Sequence, residues 1–279
     1  MAVPWTTYWH HIRSFARYYS EAVTRYDVHS PFLSVWVERV LEDQREFYAF
    51  DDAERIRLHW LHTQQFVDYS VDHGAGSRAG QGKKRSVREI VEKSAIEAQA
   101  GRWLFRMVDF HQPNTILELG TNLGISALYL QGARRSAHLI TIEGNPEVAK
   151  LARQSFRRLS RRIPDMRTGT FMEEIPKIVK SLDQLDFVWM DGDHQYESTT
   201  LYFEQLLPRL HERSVVVIGD IHWSEEMELA WLEIRRHPRV TMSVDLYHMG
   251  VLFFRPELQQ QEHFVLIPYR YKPWRLGFF

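Results

Sequence analysis

From residue 86 onward the chain alternates short apolar runs with longer stretches of helical periodicity. Runs of strand length occupy residues 115–119, 138–142, 166–170, 186–191 and 214–219. Between them, apolar residues recur at helical spacing over 125–131, 146–159, 172–181, 197–210 and 224–236. Repeated strand–helix–strand order implies right-handed crossovers and a parallel sheet covered on both faces. The rhythm then breaks. Residues 240–247 and 251–255 are strand-like, but only His248, Met249 and Gly250 separate them. So short a link makes a hairpin and not a parallel crossover, which predicts one antiparallel strand near the end of the sheet.

The first 70 residues have a different texture, aromatic and helical. Ser30-Pro31 punctuates them, and residues 31–61 read as helix, with Phe32, Val35, Val37, Val40 and Leu41 on its apolar side. The stretch 26–32 reads as a turn between helices. Residues 86–110 read as one helix, with Ser86 as N-cap and Glu89 as its capping-box partner. Between these zones lies a stretch with glycines at 74, 76, 80 and 82. It lacks the apolar surface needed to order itself, so it reads as a mobile loop, either a linker or a lid over a ligand. The expected organisation is a helical extension with its loop (1–85), an α/β core (86–256) and a tail (257–279).

Composition adds exclusions. Lys+Arg number 35 and Asp+Glu 36, a formal charge of −1, which gives no electrostatic case for a nucleic-acid partner. The absence of cysteine rules out disulfides and thiolate metal sites. No apolar run reaches the length of a membrane span, and no signal-peptide core opens the chain. The expectation is a soluble, cytoplasmic protein. Nine Trp and a set of N-terminal aromatics (Trp5, Tyr8, Trp9, Phe15, Tyr18, Tyr19) suit a pocket cap or a homodimer interface equally.

Chemistry concentrates where the first core strand ends. Glu118-Leu119-Gly120-Thr121-Asn122-Leu123-Gly124-Ile125-Ser126 is a buried strand end, a tight turn and a helix start. The glycines let the backbone bend and a ligand approach, and the helix N-terminus offers free N–H groups. The spacing Gly120-x-x-x-Gly124 is not the dinucleotide pattern. Glu118 before it would repel a pyrophosphate and suits a ligand carrying ammonium and sulfonium charges. Glu143-Gly144 ends the next strand, where a carboxylate binds ribose hydroxyls.

These residues, with Gly169-Thr170-Phe171 and the Asp191 region, resemble the class I S-adenosylmethionine-dependent methyltransferases, and most of all the small-molecule O-methyltransferases related to catechol O-methyltransferase. The likeness spans residues 86–256. It implies an α/β, Rossmann-like, mostly parallel seven-stranded sheet of order 3-2-1-4-5-7-6 with strand 7 antiparallel. It implies that Glu118 and Gly120 lie near the amino-acid end of S-adenosylmethionine, that Glu143 holds its ribose, and that Thr170 and Phe171 lie by the adenine. Thr121, Asn122, Gly124, Ser126, Gly144 and Asp191 are the further candidate cofactor-binding residues.

A second constellation ends the fourth and fifth strands: Asp191-Gly192-Asp193-His194 and Asp220-Ile221-His222. If those strands are neighbours, their ends lie about 4.8 Å apart, where ligands of open α/β sheets bind. Asp191, His194, Asp220 and His222 are therefore the candidate catalytic residues. Two mechanisms stand open. Asp191 and Asp220 could hold Mg²⁺ or another divalent ion that acidifies a substrate hydroxyl, or His194 or His222 could remove the proton directly. The catechol-type pattern has Asp-Asn after the fifth strand, whereas here Ile221 follows Asp220 and cannot bind metal. The expected partner is a small-molecule acceptor. The rival readings are a methyltransferase acting on nucleic acid or protein, and a cofactor-binding module without turnover.

Overall fold

The computed structural model describes residues 5–69, 84–258 and 260–274. The glycine-rich loop read at 72–82 lies outside them. The chain divides into two compact units, Met1–Gln44 with His194–Phe279, and Arg45–Asp193.

The first unit opens with α1 (Trp5–Glu21), a 3-10 turn at Arg25–Asp27, α2 (Pro31–Trp36) and a π-helical turn at Val37–Leu41. Ser30 caps α2, its hydroxyl accepting from Leu33 N at 3.4 Å, and Pro31 takes the first helical position. The helix expected over 31–61 is not continuous. Residues 42–46 are Glu-Asp-Gln-Arg-Glu, so the apolar stripe that would carry it lapses.

The second unit begins with α3 (Tyr48–Leu61) and a two-stranded antiparallel ribbon of β1 (Phe66–Asp68) and β2 (Lys84–Ser86). The helix expected over 86–110 is two, α4 (Val87–Ser94) and α5 (Ala98–His111), with Ala95 and Glu97 both extended. The break is held by side chains. Arg57 donates to Ile96 O, and Asn122 Nδ2 donates to Ser94 O at 2.8 Å. Ser86 does cap α4, accepting from Glu89 N at 3.2 Å.

Next come β3 (Thr115–Leu119), α6 (Ile125–Ala133), β4 (His138–Glu143), α7 (Pro146–Arg158), β5 (Asp165–Thr168), α8 (Phe171–Ser181) and β6 (Leu185–Met190). The four strands stand in the order β6-β3-β4-β5, all parallel. Their apolar runs fill the core: Ile116, Leu117, Leu119, Ile140, Ile142, Phe187 and Val188 are all buried.

The first unit resumes with α9 (Tyr196–Leu206), β7 (Leu210–Gly219), α10 (Glu225–Ile234), β8 (Met242–Asp245), β9 (Met249–Phe253) and β10 (Glu262–Val265). Its strand order is β10-β8-β9-β7, with β9 antiparallel to both neighbours. In the numbering of the methyltransferase sheet, the two units read 3-2-1-4 and 5-7-6, and strand 7 is the reversed one. The mostly parallel α/β sheet expected from the sequence is therefore present.

An eighth strand was not expected. β10 pairs parallel with β8, Glu262 opposite Met242 through Val265 opposite Asp245. The chain after α1 then covers part of that edge, with Val23 N donating to Val265 O at 2.8 Å and Ile267 N to Val23 O at 3.0 Å. Lys272 closes the end of α1, its ammonium donating to Tyr19 O and, at 2.8 Å, to Ala22 O. A cation there meets carbonyls that the helix leaves unpaired.

Candidate functional site

Parallel register sets Glu118 opposite Thr141, so their side chains leave one face of the sheet, and Glu143, two residues on, leaves the same face. The Thr141 hydroxyl donates to Glu118 Oε2 at 2.5 Å, and Thr121 Oγ1 lies 2.5 Å from Thr141 Oγ1. Glu118 is fully buried. Burial pushes its carboxyl up to about 7, the Ser126 and Thr141 hydroxyls oppose the rise, and the nearby Glu143 charge adds to it.

The turn after β3 is folded onto the end of β4. Gly120 N and Thr121 N both donate to Ile142 O at 3.0 Å, and Gly124 N donates to Thr121 O at 2.8 Å. Asn122 N then donates to Glu143 Oε2 at 2.8 Å, while Asn145 N donates to Oε1 at 2.9 Å. Glu143 thus pins the glycine turn and the turn after β4 together.

Glycine is required at Gly120. Its φ is +98°, and an added Cβ would stand 2.2 Å from the Asp191 carbonyl oxygen. The loop after β6 is packed against this turn, with Asp191 N donating to Leu119 O at 2.9 Å. Gly124 is the N-cap of α6 with φ +82°, and Ser126 is buried in that helix's first turn. Gly144 lies in the turn after β4.

Thr170 does something the sequence reading did not include. It is the N-cap of α8, its hydroxyl accepting from Glu173 N at 3.2 Å while Glu173 reaches back to Thr170 N. Phe171 is buried, and its ring stands 2.8 Å from where a Cβ on Gly192 would be. The structure therefore gathers Glu118, Gly120, Thr121, Asn122, Ser126 and Glu143 around one turn, and sets Phe171 against the loop that leaves β6.

In the other unit, His194 Nε2 lies 3.7 Å from Asp220 Oδ2, with both side chains partly exposed. Asp220 has φ +52°, a left-handed conformation uncommon outside glycine. Its N donates to His248 O at 2.7 Å, and Trp223 N donates to Asp220 O at 2.9 Å.

His222, read from sequence as a possible base, is turned inward. Its Nε2 lies 2.8 Å from Asp245 Oδ2, and its Nδ1 lies 2.9 Å from Glu228 Oε1 and 3.1 Å from Ser14 Oγ. The Tyr247 ring stacks on it at 5.3 Å. Burial works to lower its pKa, but the hydrogen bonds and charges of Asp245 and Glu228 override this and raise it to about 9. With both nitrogens engaged and the ring protonated at neutral pH, His222 has no lone pair to take a proton. Its partners Ser14 and Asp245 were missed because they are remote in sequence, and Glu228, six residues on, was missed because it sits on the following helix. Thr141, also missed, stands two positions before Glu143, and strand period alone would have placed it on the same face.

Residues 117–221 match the family model described as a methyltransferase domain. The match covers 105 of the 279 residues, and over them the chain is similar to a methyltransferase domain. Among curated relatives, it is 28% identical over 129 residues to the catechol O-methyltransferase of Mycobacterium tuberculosis, covering 45% of this chain and 56% of that one. It is 32% identical over 160 residues to O-methyltransferase hkm8 of Aspergillus hancockii, covering 54% and 60% respectively. The chain thus spans somewhat over half the length of these relatives. The fold is shared with the O-methyltransferase TomG of Streptomyces achromogenes, at TM-score 0.55 and 16% identity over 80% of this chain and 96% of that one. It is shared also with an O-methyltransferase of Bacillus cereus, at TM-score 0.52 and 16% identity over 79% and 96%.

Two outcomes follow for stability. Gly120→Ala should destabilise the fold by roughly 2–4 kcal/mol, since left-handed strain and a backbone clash combine; an unchanged urea midpoint would contradict the geometry. For His222 the folded-state pKa lies above the ordinary 6.5, so its stabilisation is complete below 6.5 and is lost as pH rises through about 9. The loss is on the order of 3 kcal/mol at most. Thermal melts should show wild type falling towards His222→Gln between those pH values; parallel curves would refute the assignment.

Proposed function

We propose that the chain is an S-adenosylmethionine-dependent O-methyltransferase acting on a hydroxyl of a small molecule. The observation that carries this reading is the shared face of Glu118, Thr141 and Glu143, with the Gly120–Gly124 turn pinned onto it. The donor set suits that cofactor, with acceptor-rich carboxylates for an ammonium and for two ribose hydroxyls, and glycines for close approach. When bound, S-adenosylmethionine supplies an electrophilic methyl group on a sulfonium.

The chain's residues do the rest. Glu118 would orient the amino-acid end, the glycine turn would let it approach the backbone closely, and Glu143 would hold the ribose. His194, beside Asp220, would take the proton of the acceptor hydroxyl, while the sulfonium would give up its methyl to that oxygen and leave as the neutral thioether. A placed base contributes about 10²- to 10⁴-fold. In the metal-assisted version, Asp220 and the neighbouring His194 would supply ligand atoms to a divalent ion, with Asp191 as the second carboxylate that the sequence suggests. A mixed carboxylate–imidazole set of this kind suits Mn²⁺, Fe²⁺ or Zn²⁺ better than Mg²⁺. The acceptor is a small molecule in this proposal, and the working location is the cytoplasm. Among the described residues no helix is long and apolar enough to cross a membrane.

Calorimetric titration with S-adenosylhomocysteine should give clear binding that Glu143→Ala weakens about 10- to 100-fold, the worth of one or two charge-assisted hydrogen bonds. Equal affinity in the two proteins would remove the basis of the reading. With catechol as probe acceptor, His194→Ala should lower kcat by about 10² or more. If EDTA abolishes turnover and Mn²⁺ restores it, the metal-assisted version holds; if EDTA has no effect, His194 acts as a base alone.

A further inference from the structure

Helix α1 is joined to the turn that presents Asp220, and one residue makes the join. The turn is strained at Asp220, with φ +52°, so something must hold it. Two residues on, the His222 ring is gripped from three elements: Asp245 at the end of β8, Glu228 on α10 and Ser14 on α1. The grip extends into α1. The Ser14 hydroxyl donates to Glu228 Oε1 at 2.5 Å, and Arg17 pairs with Glu228 at 2.6 Å. On the backbone side, His10 Nε2 lies 3.2 Å from His222 O. The next residue is also contacted, the His11 and Trp223 rings lying 5.4 Å apart. Tyr247 closes the assembly, stacked on His222 with its hydroxyl donating to His11 O at 3.4 Å.

We infer that His222 is a positioning residue for the methyl-transfer site: it fixes the turn that presents Asp220 and docks α1 there, so that His11 and Trp223 form a wall for the acceptor. The inference rests on the O-methyltransferase reading above. Several features separate it from an ordinary buried histidine. The clamped ring lies two residues from Asp220, and α1 meets both His222 and Trp223. The Trp223 side is 58% exposed and so is open to a ligand. A half-open aromatic pair beside a carboxylate and an imidazole suits a planar acceptor that stacks on rings while offering a hydroxyl. A small displacement of Asp220 would then lower the rate without touching the cofactor turn.

The test uses the full chain with two variants, His222→Gln and the milder Ser14→Ala. The readouts are hydrogen exchange over residues 8–18 and 216–224, S-adenosylhomocysteine affinity, and kcat and KM with catechol. For His222→Gln we expect faster exchange in both segments and kcat lower by about 100-fold, with cofactor affinity held within about twofold. For Ser14→Ala we expect faster exchange confined to 8–18 and a catechol KM raised about fivefold at nearly constant kcat. A folded His222→Gln protein with wild-type kcat overturns the inference, as does one that loses kcat and cofactor affinity in step. Should that variant not fold, Ser14→Ala decides, and unchanged exchange with unchanged KM overturns it. A wild-type chain that binds no S-adenosylhomocysteine sinks the methyltransferase reading instead. In that case, or if catechol is not turned over, faster exchange of both segments in His222→Gln still supports the docking of α1 through His222, and faster exchange of only one segment in that variant rejects it.

Discussion

The candidate cofactor site depends on one carboxylate doing two jobs. Glu143 accepts Asn122 N with one oxygen and Asn145 N with the other, so the turn after β3 and the turn after β4 are held by the same side chain. A buried or half-buried N–H left unpaired costs a good fraction of a protein's net stability, so such turns adopt the shape that satisfies them. The result is a glycine turn whose form is set before any ligand arrives. Preorganisation of this kind lowers the ordering cost of binding. The Glu143 side chain leaves the same face of the sheet as Glu118 and Thr141.

The two acids on that face are treated differently by their surroundings. Glu118 is buried beside Ser126 and Thr141, and burial makes its charge costly, which pushes its carboxyl up to about 7. A cationic ligand group beside it would relieve that cost. His222 shows the opposite logic. There the buried group is cationic, and two carboxylates close enough to hydrogen-bond keep it charged. One arrangement leaves a charge seeking a partner, which is a binding feature. The other leaves none, which is a structural feature.

Much of this could be read from the sequence, for identifiable reasons. Most strands of the core are apolar runs bounded by turn residues, and they fall within a few residues of the expected places; the 115–119 strand coincides. The hairpin was legible because three residues cannot span a crossover. Glu118, Gly120 and Glu143 were legible because their spacing along strand, turn, helix and strand is local. What failed was non-local. The helices over 31–61 and 86–110 each broke where polar residues or distant side chains took over the backbone carbonyls, and β10 was hidden because its apolar run is short and isolated. His222 was misread for the same reason. Beside Asp220 in sequence it looks like a base, but Ser14, Glu228 and Asp245 determine which way it points.

The most direct measurement is a crystal structure of the chain with S-adenosylhomocysteine. The account predicts both ribose hydroxyls within hydrogen-bond distance of Glu143, the amino-acid end over the Gly120–Gly124 turn, and the two backbone bonds to Glu143 retained. A nucleoside lying elsewhere, or a Glu143 that turns away from both the ligand and Asn122, would contradict it.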